Sequence, residues 1–354
     1  MAENPYRSMP DRQFWRRGIE GWSEGVYKEL YRPRFAITRR TRIATAGSCF
    51  AQHIGREFKE RGYNYQDYEP SPVPRLDLKK YGYGLFSARY GNIYTSRQLL
   101  QLCRRATGRF KPVQDVWEKD GRFYDPFRPS IEPDGFGSAE ELRRLRSDHF
   151  RSVRRMVKKA EVMVFTLGLT EMWMDRVDGA AYPTCPGTVA GEFDPERHVF
   201  KNLSFIEILE DMEQVIAWMR KHNPELKFLF TVSPVPLAAT AEDQHVAVST
   251  TYSKSVLRAV AGELRARHDF VDYFPSYEIV TSPMSRGAHY EPGMREVAMA
   301  GVANVMRCFF EAHGDFDGPP APKLEMEGSA EYETDAAKEM EVICDEAKLD
   351  PVSA

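Results

Sequence analysis

Apolar residues along this chain repeat one theme: a short unbroken apolar run, a turn, then apolar positions at helical spacing. A strand buried on both faces has no polar side to show, so such runs alternating with amphipathic stretches predict a parallel sheet covered by helices. The theme opens at Ile43–Ala46, turns at Gly47–Ser48–Cys49, and continues with Phe50, Ile54, Phe58 and Tyr63 at helical intervals. A weaker run lies near Tyr63–Tyr65. Ser96–Thr107 reads as a helix with Leu99, Leu100, Leu102 and Cys103 inside. Val113–Trp117 and Arg122–Tyr124 flank Lys119–Asp120–Gly121, a hairpin signal. A long amphipathic helix is expected from Ser138 to Lys159, with Ser138 as its cap and Glu141 as the capping partner.

The clearest buried strand is Glu161–Leu167, ending in Gly168–Leu169–Thr170–Glu171. A Pro- and Gly-rich insertion, Ala180–Asp194, interrupts the alternation. Ser204 then caps a helix to His222, the strand Lys227–Val232 ends in Ser233–Pro234, and a helix spans Val248–Arg267. A last strand, Phe270–Tyr273, leads through a long loop to a helix over Arg295–Ala312. The organisation expected is a lead-in over residues 1–40, one α/β domain over 41–314 and an acidic tail over 315–354. The lead-in is extended or loosely helical, with Trp15 and Trp22 available to pin it. The tail is poor in apolar residues and reads as disordered, with a short helix at Ala336–Lys348.

Composition narrows the function classes. With 354 residues, 42% hydrophobic and 29% charged, the chain can bury a substantial core. A formal net charge of −3 gives no reason to expect nucleic acid or an anionic membrane as partner. The basic clusters Arg143–Arg144–Arg146 and Arg151–Lys159 fall on one helix and read as a solvated face. Five cysteines (49, 103, 185, 308 and 344) are an odd, widely spaced set without a CxxC. That speaks against a zinc ribbon or disulfide framework and for a reducing compartment. The polar start of the chain lacks the apolar stretch of a signal peptide, and no apolar run is long enough to span a membrane. A cytoplasmic location is the expectation.

Ligands of parallel sheets bind at the carboxyl edge of the strands. That edge receives Gly47, Ser48 and Cys49 from the first strand. Gly91 and Asn92 precede the next helix. Gly168, Thr170 and Glu171 follow the Val162–Leu167 strand, Ser233 and His245 the next, and Glu278 and His289 the last. Cys49 opens a helix, where free N–H groups and the helix dipole favour a thiolate and offer donors to an oxyanion. The plainer reading is a small core cysteine. Plainer readings also exist for Ser233 (local backbone bonding), for Lys254 (a helix-surface charge), for either histidine (an exposed loop residue) and for Glu171 (a solvated carboxylate). Trp173, Tyr273 and Tyr277 are pocket-wall or core aromatics.

The stretch Gly47–Ser48–Cys49–Phe50–Ala51 spells GSCFA and resembles the naming motif of the GSCFA family. Gly91–Asn92–Ile93–Tyr94–Thr95, Leu167–Glu171, Thr231–Val235, Tyr252–Ser255 and Tyr273–Glu278 look like the same family over about residues 40–310. That family is similar to the SGNH, or GDSL-type, hydrolases. The resemblance implies a flavodoxin-like three-layer α/β/α fold with a parallel central sheet. It places the nucleophile position on Cys49, with Ser48 beside it, and an oxyanion donor at Gly91–Asn92. Gly168–Leu169–Thr170–Glu171 falls on the GxND block, with Thr170 where the family has Asn. The closing Asp–His pair is displaced: its His position falls near Glu296, and His289 and His245 are the rival bases.

The activity so implied is hydrolysis of acyl esters, with O-acylated glycans as the substrate class and no metal or cofactor. Cys49 attacks the carbonyl, and the N–H groups of Cys49 and Gly91, with the Asn92 amide, hold the oxyanion. The alternatives are an O-acyltransferase using a thioester donor and a non-catalytic glycan-binding module.

Overall fold

A computed structural model describes residues 4–22, 25, 27–72, 78–315 and 343–349 of the chain. In chain order the regular elements are α1 (Trp15–Gly18), β1 (Ile43–Gly47), α2 (Phe50–Glu60), α3 (Ser96–Ala106), β2 (Trp117–Lys119), β3 (Arg122–Tyr124), α4 (Ala139–Lys159), β4 (Val162–Leu167), β5 (Glu171–Asp175), β6 (Ala181–Tyr182), β7 (His198–Asn202), α5 (Phe205–His222), β8 (Lys227–Val232), α6 (Val246–Arg267), β9 (Val271–Tyr273), α7 (Ser276–Thr281) and α8 (Met299–Ala312).

The central sheet is parallel, in the order β1-β4-β8-β9. Gly47 pairs with Thr166, Leu167 with Val232, and Phe230 with Tyr273, so the strand ends share one edge. Tyr65 adds a single parallel bridge to Ile43 on the outer side of β1. Counting it as a vestigial strand gives the flavodoxin-like order 2-1-3-4-5, whose switch point lies between β1 and β4. Alternate strand residues serve opposite faces. Ala44, Ala46, Met163, Phe165, Phe228 and Phe230 face a core shared with α3, α4, α5 and α6. Ile43, Val162, Val164 and Leu229 face α2, α7 and α8. The result is three layers, helix–sheet–helix.

Local chemistry sets the element ends. Thr95 and Gln98 form a reciprocal capping box at α3, as do Ser204 and Glu207 at α5. Ser138 accepts from the Glu141 N–H at α4, while the Glu141 carboxylate accepts from Gly137 N. The β2–β3 turn has positive φ at both Asp120 (52°) and Gly121 (69°), the handedness that matches strand twist.

Several expectations change. The stretch around the Pro/Gly-rich insertion forms a second, antiparallel sheet in the order β6-β5-β7. Trp15 is 71% exposed and pins nothing, whereas Trp22 packs edge-on against Tyr27 with ring centroids 5.4 Å apart. The last helix starts at Met299, and the short α7 precedes it. The α4 arginines are not all solvated: Arg146 is buried, bridging Asp115 at 3.2 Å and Asp125 at 3.1 Å. Arg128 (3.0 Å) and Arg105 (3.9 Å) close around the same fully buried Asp125. Of the tail, residues 316–342 and 350–354 lie outside the described residues, so the disorder expected there lies outside them too, as does most of the helix expected at Ala336–Lys348. Residues 343–349 are placed, with a 3-10 turn over Asp345–Leu349 packed on the carboxyl edge of the sheet rather than loose in solvent.

Candidate active site

The site is built on the β1–α2 turn, at the switch point. Gly47 ends β1 with φ +137°, where a side chain is strained, and a Cβ there would lie 2.5 Å from Thr166 O. Only glycine lets β1 close on β4 and still turn into α2. Ser48 follows, its N–H bonded to Thr166 O at 3.3 Å and its hydroxyl buried without a partner among the described residues. Cys49 sits at the N-cap of α2 and is 3% exposed. The first N–H groups of a helix have no carbonyl one turn back; here Ala51 N bonds Ser48 O at 2.9 Å and Gln52 N bonds Cys49 O at 3.0 Å, so among the described residues Cys49 and Phe50 supply the donors of this turn.

Gly91 and Asn92 come to the same place. Gly91 adopts φ +66°, and Ile93 N bonds Gly47 O at 2.8 Å, stitching that loop to the turn. The Asn92 side chain accepts from Gln52 Nε2 at 3.2 Å. Gly168 N–H bonds Tyr94 O at 3.2 Å, and the Gly168 carbonyl accepts from Lys254 Nζ at 2.7 Å. Thr170 N–H bonds Ser253 Oγ at 3.1 Å, and the Thr170 hydroxyl is buried without a partner among the described residues. Ser233 is buried and accepts from Val235 N at 3.3 Å, the local bonding expected of it.

Lys254 is not a surface charge. It is 1% exposed, inside α6, and feels the charge of Cys49. Burial brings its amine down to about 8, against the opposing pull of Glu346 and Cys49. Periodicity could not find it, because α6 turns a polar stripe of Ser249 and Ser253, with Lys254 beside it, toward the sheet edge.

The histidines stand elsewhere. His245 is exposed at the N-cap of α6, where its Nδ1 accepts from Ala247 N at 3.1 Å. His289 is fully buried, its Nε2 3.2 Å from Tyr27 Oη and 3.4 Å from Asn304 Nδ2. Burial lowers its basicity. Neither bonds Cys49. Glu171 accepts from the Thr240 hydroxyl at 2.9 Å, with its carboxyl raised by burial. The aromatics do not gather into one wall. Trp173 packs on Phe193 and Phe200, while Tyr273 donates to Glu278 at 2.7 Å.

The neighbours of Cys49 that the sequence did not suggest come from the C-terminal segment. Ile343 O accepts from Gln52 Nε2 and Asn92 Nδ2, both at 2.8 Å, and Asp345 accepts from Asn92 Nδ2 at 3.0 Å. Tyr94 Oη takes the N–H groups of Asp345 (3.1 Å) and Glu346 (3.4 Å). Glu346 reaches Ala238 N at 2.8 Å and Arg295 Nη2 at 3.4 Å. Burial raises the Glu346 carboxyl to about 7. The neighbouring Cys344, together with burial, holds the Cys49 proton on. Cys49 in turn, helped by Arg295 at 3.7 Å and opposed by burial, brings Cys344 down to about 6. With the segment in place, the cavity beside Gly91 and Asn92 is about 20 Å³, room for a water and not for an ester.

Among the described residues, no group of three or more His, Cys, Asp or Glu side chains is arranged to hold a metal ion. None of their helices is long and apolar enough to cross a membrane. The fold and site define a three-layer flavodoxin-like α/β protein with a thiol presented at the switch point of its parallel sheet. The model of the GSCFA family matches residues 42–309, and the chain belongs to that family. No curated protein matches it.

Proposed function

We propose that the protein carries out acyl-ester chemistry, with Cys49 as the nucleophile and Lys254 as its base. The observation that carries this reading is a fully buried lysine beneath the β1–α2 turn: its Nζ bonds the carbonyl of Gly168, where a Cβ would lie 2.9 Å from Ser48 Cβ, and its amine feels the charge of Cys49. An amine brought to about 8 is neutral often enough near neutral pH to take a proton. In the first step Lys254 takes the Cys49 proton and the sulfur attacks the ester carbonyl. The oxyanion is held by the N–H groups of Cys49 and Phe50 and the Asn92 amide. Collapse expels the alcohol, which takes its proton from Lys254, and leaves a thioester on Cys49. Water attacks that thioester and restores the thiol.

The resemblance to SGNH enzymes makes O-acylated glycans the substrate class in this reading. A second reading is transfer of the acyl group to a hydroxyl acceptor in place of water.

The test is hydrolysis of p-nitrophenyl acetate by the reduced full chain and its Cys49→Ala, Ser48→Ala, Lys254→Met, His245→Ala and His289→Ala variants. The reading expects loss of turnover in Cys49→Ala and Lys254→Met and its retention in both histidine variants. A Cys49→Ala chain with the parent's rate would sink it. A dead Ser48→Ala beside an active Cys49→Ala would move the nucleophile to the hydroxyl.

A further inference from the structure

We propose that Cys49 and Cys344 form an oxidation-sensitive thiol pair, which a hydroperoxide converts to a disulfide that fastens the C-terminal segment across the β1–α2 turn. The acyl chemistry above has no use for Cys344, Arg295 or the Tyr94 hydroxyl, yet all three converge here. Ile343, next to Cys344, bonds Gln52 of α2 in both directions, its O at 2.8 Å and its N at 3.2 Å, which sets Cys344 across the turn that holds Cys49, and each thiol shifts the other's proton affinity. Cys344 is held from both sides, by Ile343 on Gln52 and Asn92 and by Asp345 on Asn92 and Tyr94. Arg295 Nη2 lies 3.7 Å from its sulfur and Tyr94 Oη 3.8 Å. A cation and a hydroxyl at a thiol stabilise its anion and supply a proton to a departing oxygen.

Accessibility assigns the roles. Cys344 is half-buried and within reach of a small oxidant, whereas Cys49 is buried behind it. The Cys344 thiolate attacks one oxygen of the peroxide: an S–O bond forms, the O–O bond breaks, and the hydroxide that leaves takes up a proton to become water. The Cys49 thiol then attacks the sulfenic sulfur: the S–S bond forms, the S–O bond breaks, and the hydroxyl departs as water with the Cys49 proton. Two thiols lose two electrons and the peroxide becomes two waters. A dithiol reductant reverses the bond by exchange.

The full chain, reduced and desalted, is treated with hydrogen peroxide, its remaining thiols are blocked, and it is digested with trypsin without reductant. Peptides 43–56 and 339–348 each carry one cysteine, so a species joining them is diagnostic. The proposal expects that species as the main oxidation product, and its loss on adding dithiothreitol. In Cys49→Ser, Cys344 stops at a sulfenic acid that dimedone traps. Cys344 should be oxidised on the order of tenfold faster than the half-exposed Cys185, whose thiol burial raises to about 11. Separate oxidation of the two cysteines, pairing with Cys103, Cys185 or Cys308 instead, or a Cys344 no faster than Cys185 overturns it. The readout is covalent, so a chain with no esterase activity can still pass this test, and an active esterase can fail it.

Discussion

Replacing Lys254 by methionine is expected to abolish turnover and stabilise the protein, a combination that separates a functional amine from a structural one. The side chain is 1% exposed, and its amine sits at about 8 in place of 10.5, with burial as the leading cause. Keeping that amine protonated near neutral pH therefore costs the folded state about 3 kcal/mol, at 1.36 kcal/mol per pH unit. Methionine removes this cost and keeps the volume, but leaves the Gly168 carbonyl without its 2.7 Å donor. An unpaired buried carbonyl costs about 1–3 kcal/mol, so the net gain near neutral pH is about 0–2 kcal/mol.

The pH dependence is the sharper part. Between pH about 8 and 10.5 the unfolded chain holds a proton on this lysine that the folded chain has released. Wild-type stability accordingly receives a rising contribution from Lys254 across that window. The variant lacks it, so its advantage shrinks with rising pH and reverses once the amine is neutral in both states. Urea unfolding of both chains near neutral pH and at the alkaline end of the window measures the difference directly. A variant less stable than wild type at neutral pH, or a difference that does not change with pH, refutes the reasoning.

Gly47→Ala places a methyl 2.5 Å from Thr166 O at φ +137°, and a loss of roughly 3 kcal/mol or more is expected in urea unfolding. A loss under about 1 kcal/mol would mean that β1 and β4 separate easily. Asp125→Asn leaves Arg105, Arg128 and Arg146 buried around a neutral group and should cost about 3–5 kcal/mol by the same measurement. Tyr94→Phe removes the hydroxyl that takes the N–H groups of Asp345 and Glu346. It should speed iodoacetamide labelling of Cys49 by up to about thirtyfold, since these two bonds are worth about 1 kcal/mol each. Unchanged labelling would show that the segment does not shield the thiol.

What could be read from sequence follows burial on both faces. The strands β4 and β8 announce themselves because Val162–Leu167 is buried at every position and Lys227–Val232 at all but the first. The hairpin turn and the Ser138 and Ser204 caps were legible because each rests on one residue's own chemistry. The strand β7 was not: only His198 of its five residues is buried, so neither an apolar run nor an alternation marks it. Lys254 was read as solvated because a lysine between serines on a weakly patterned helix gives no sign of the sheet edge beneath it. The docked tail was missed for a related reason. Low apolar content argues against self-packing, but Gln52, Asn92, Tyr94 and Arg295 hold this segment through polar groups that hydropathy does not register.

In the proposed chemistry the two cysteines tie Cys49 to the segment that covers it. Two neighbouring thiols cannot both readily carry a negative charge, and the guanidinium of Arg295 lies beside Cys344. While the segment is docked, the negative charge is drawn to Cys344 and Cys49 keeps its proton. Once the segment leaves, Cys49 loses the neighbour that fixed its proton and retains the start of α2 and the amine of Lys254, both of which favour its thiolate. Departure would also release the Asn92 amide from Ile343 and Asp345 and open the cavity beside it. In the proposed chemistry one displacement would then change access, protonation and oxyanion binding together, and Cys49 would answer to the position of residues 343–349 as well as to the β1–α2 turn.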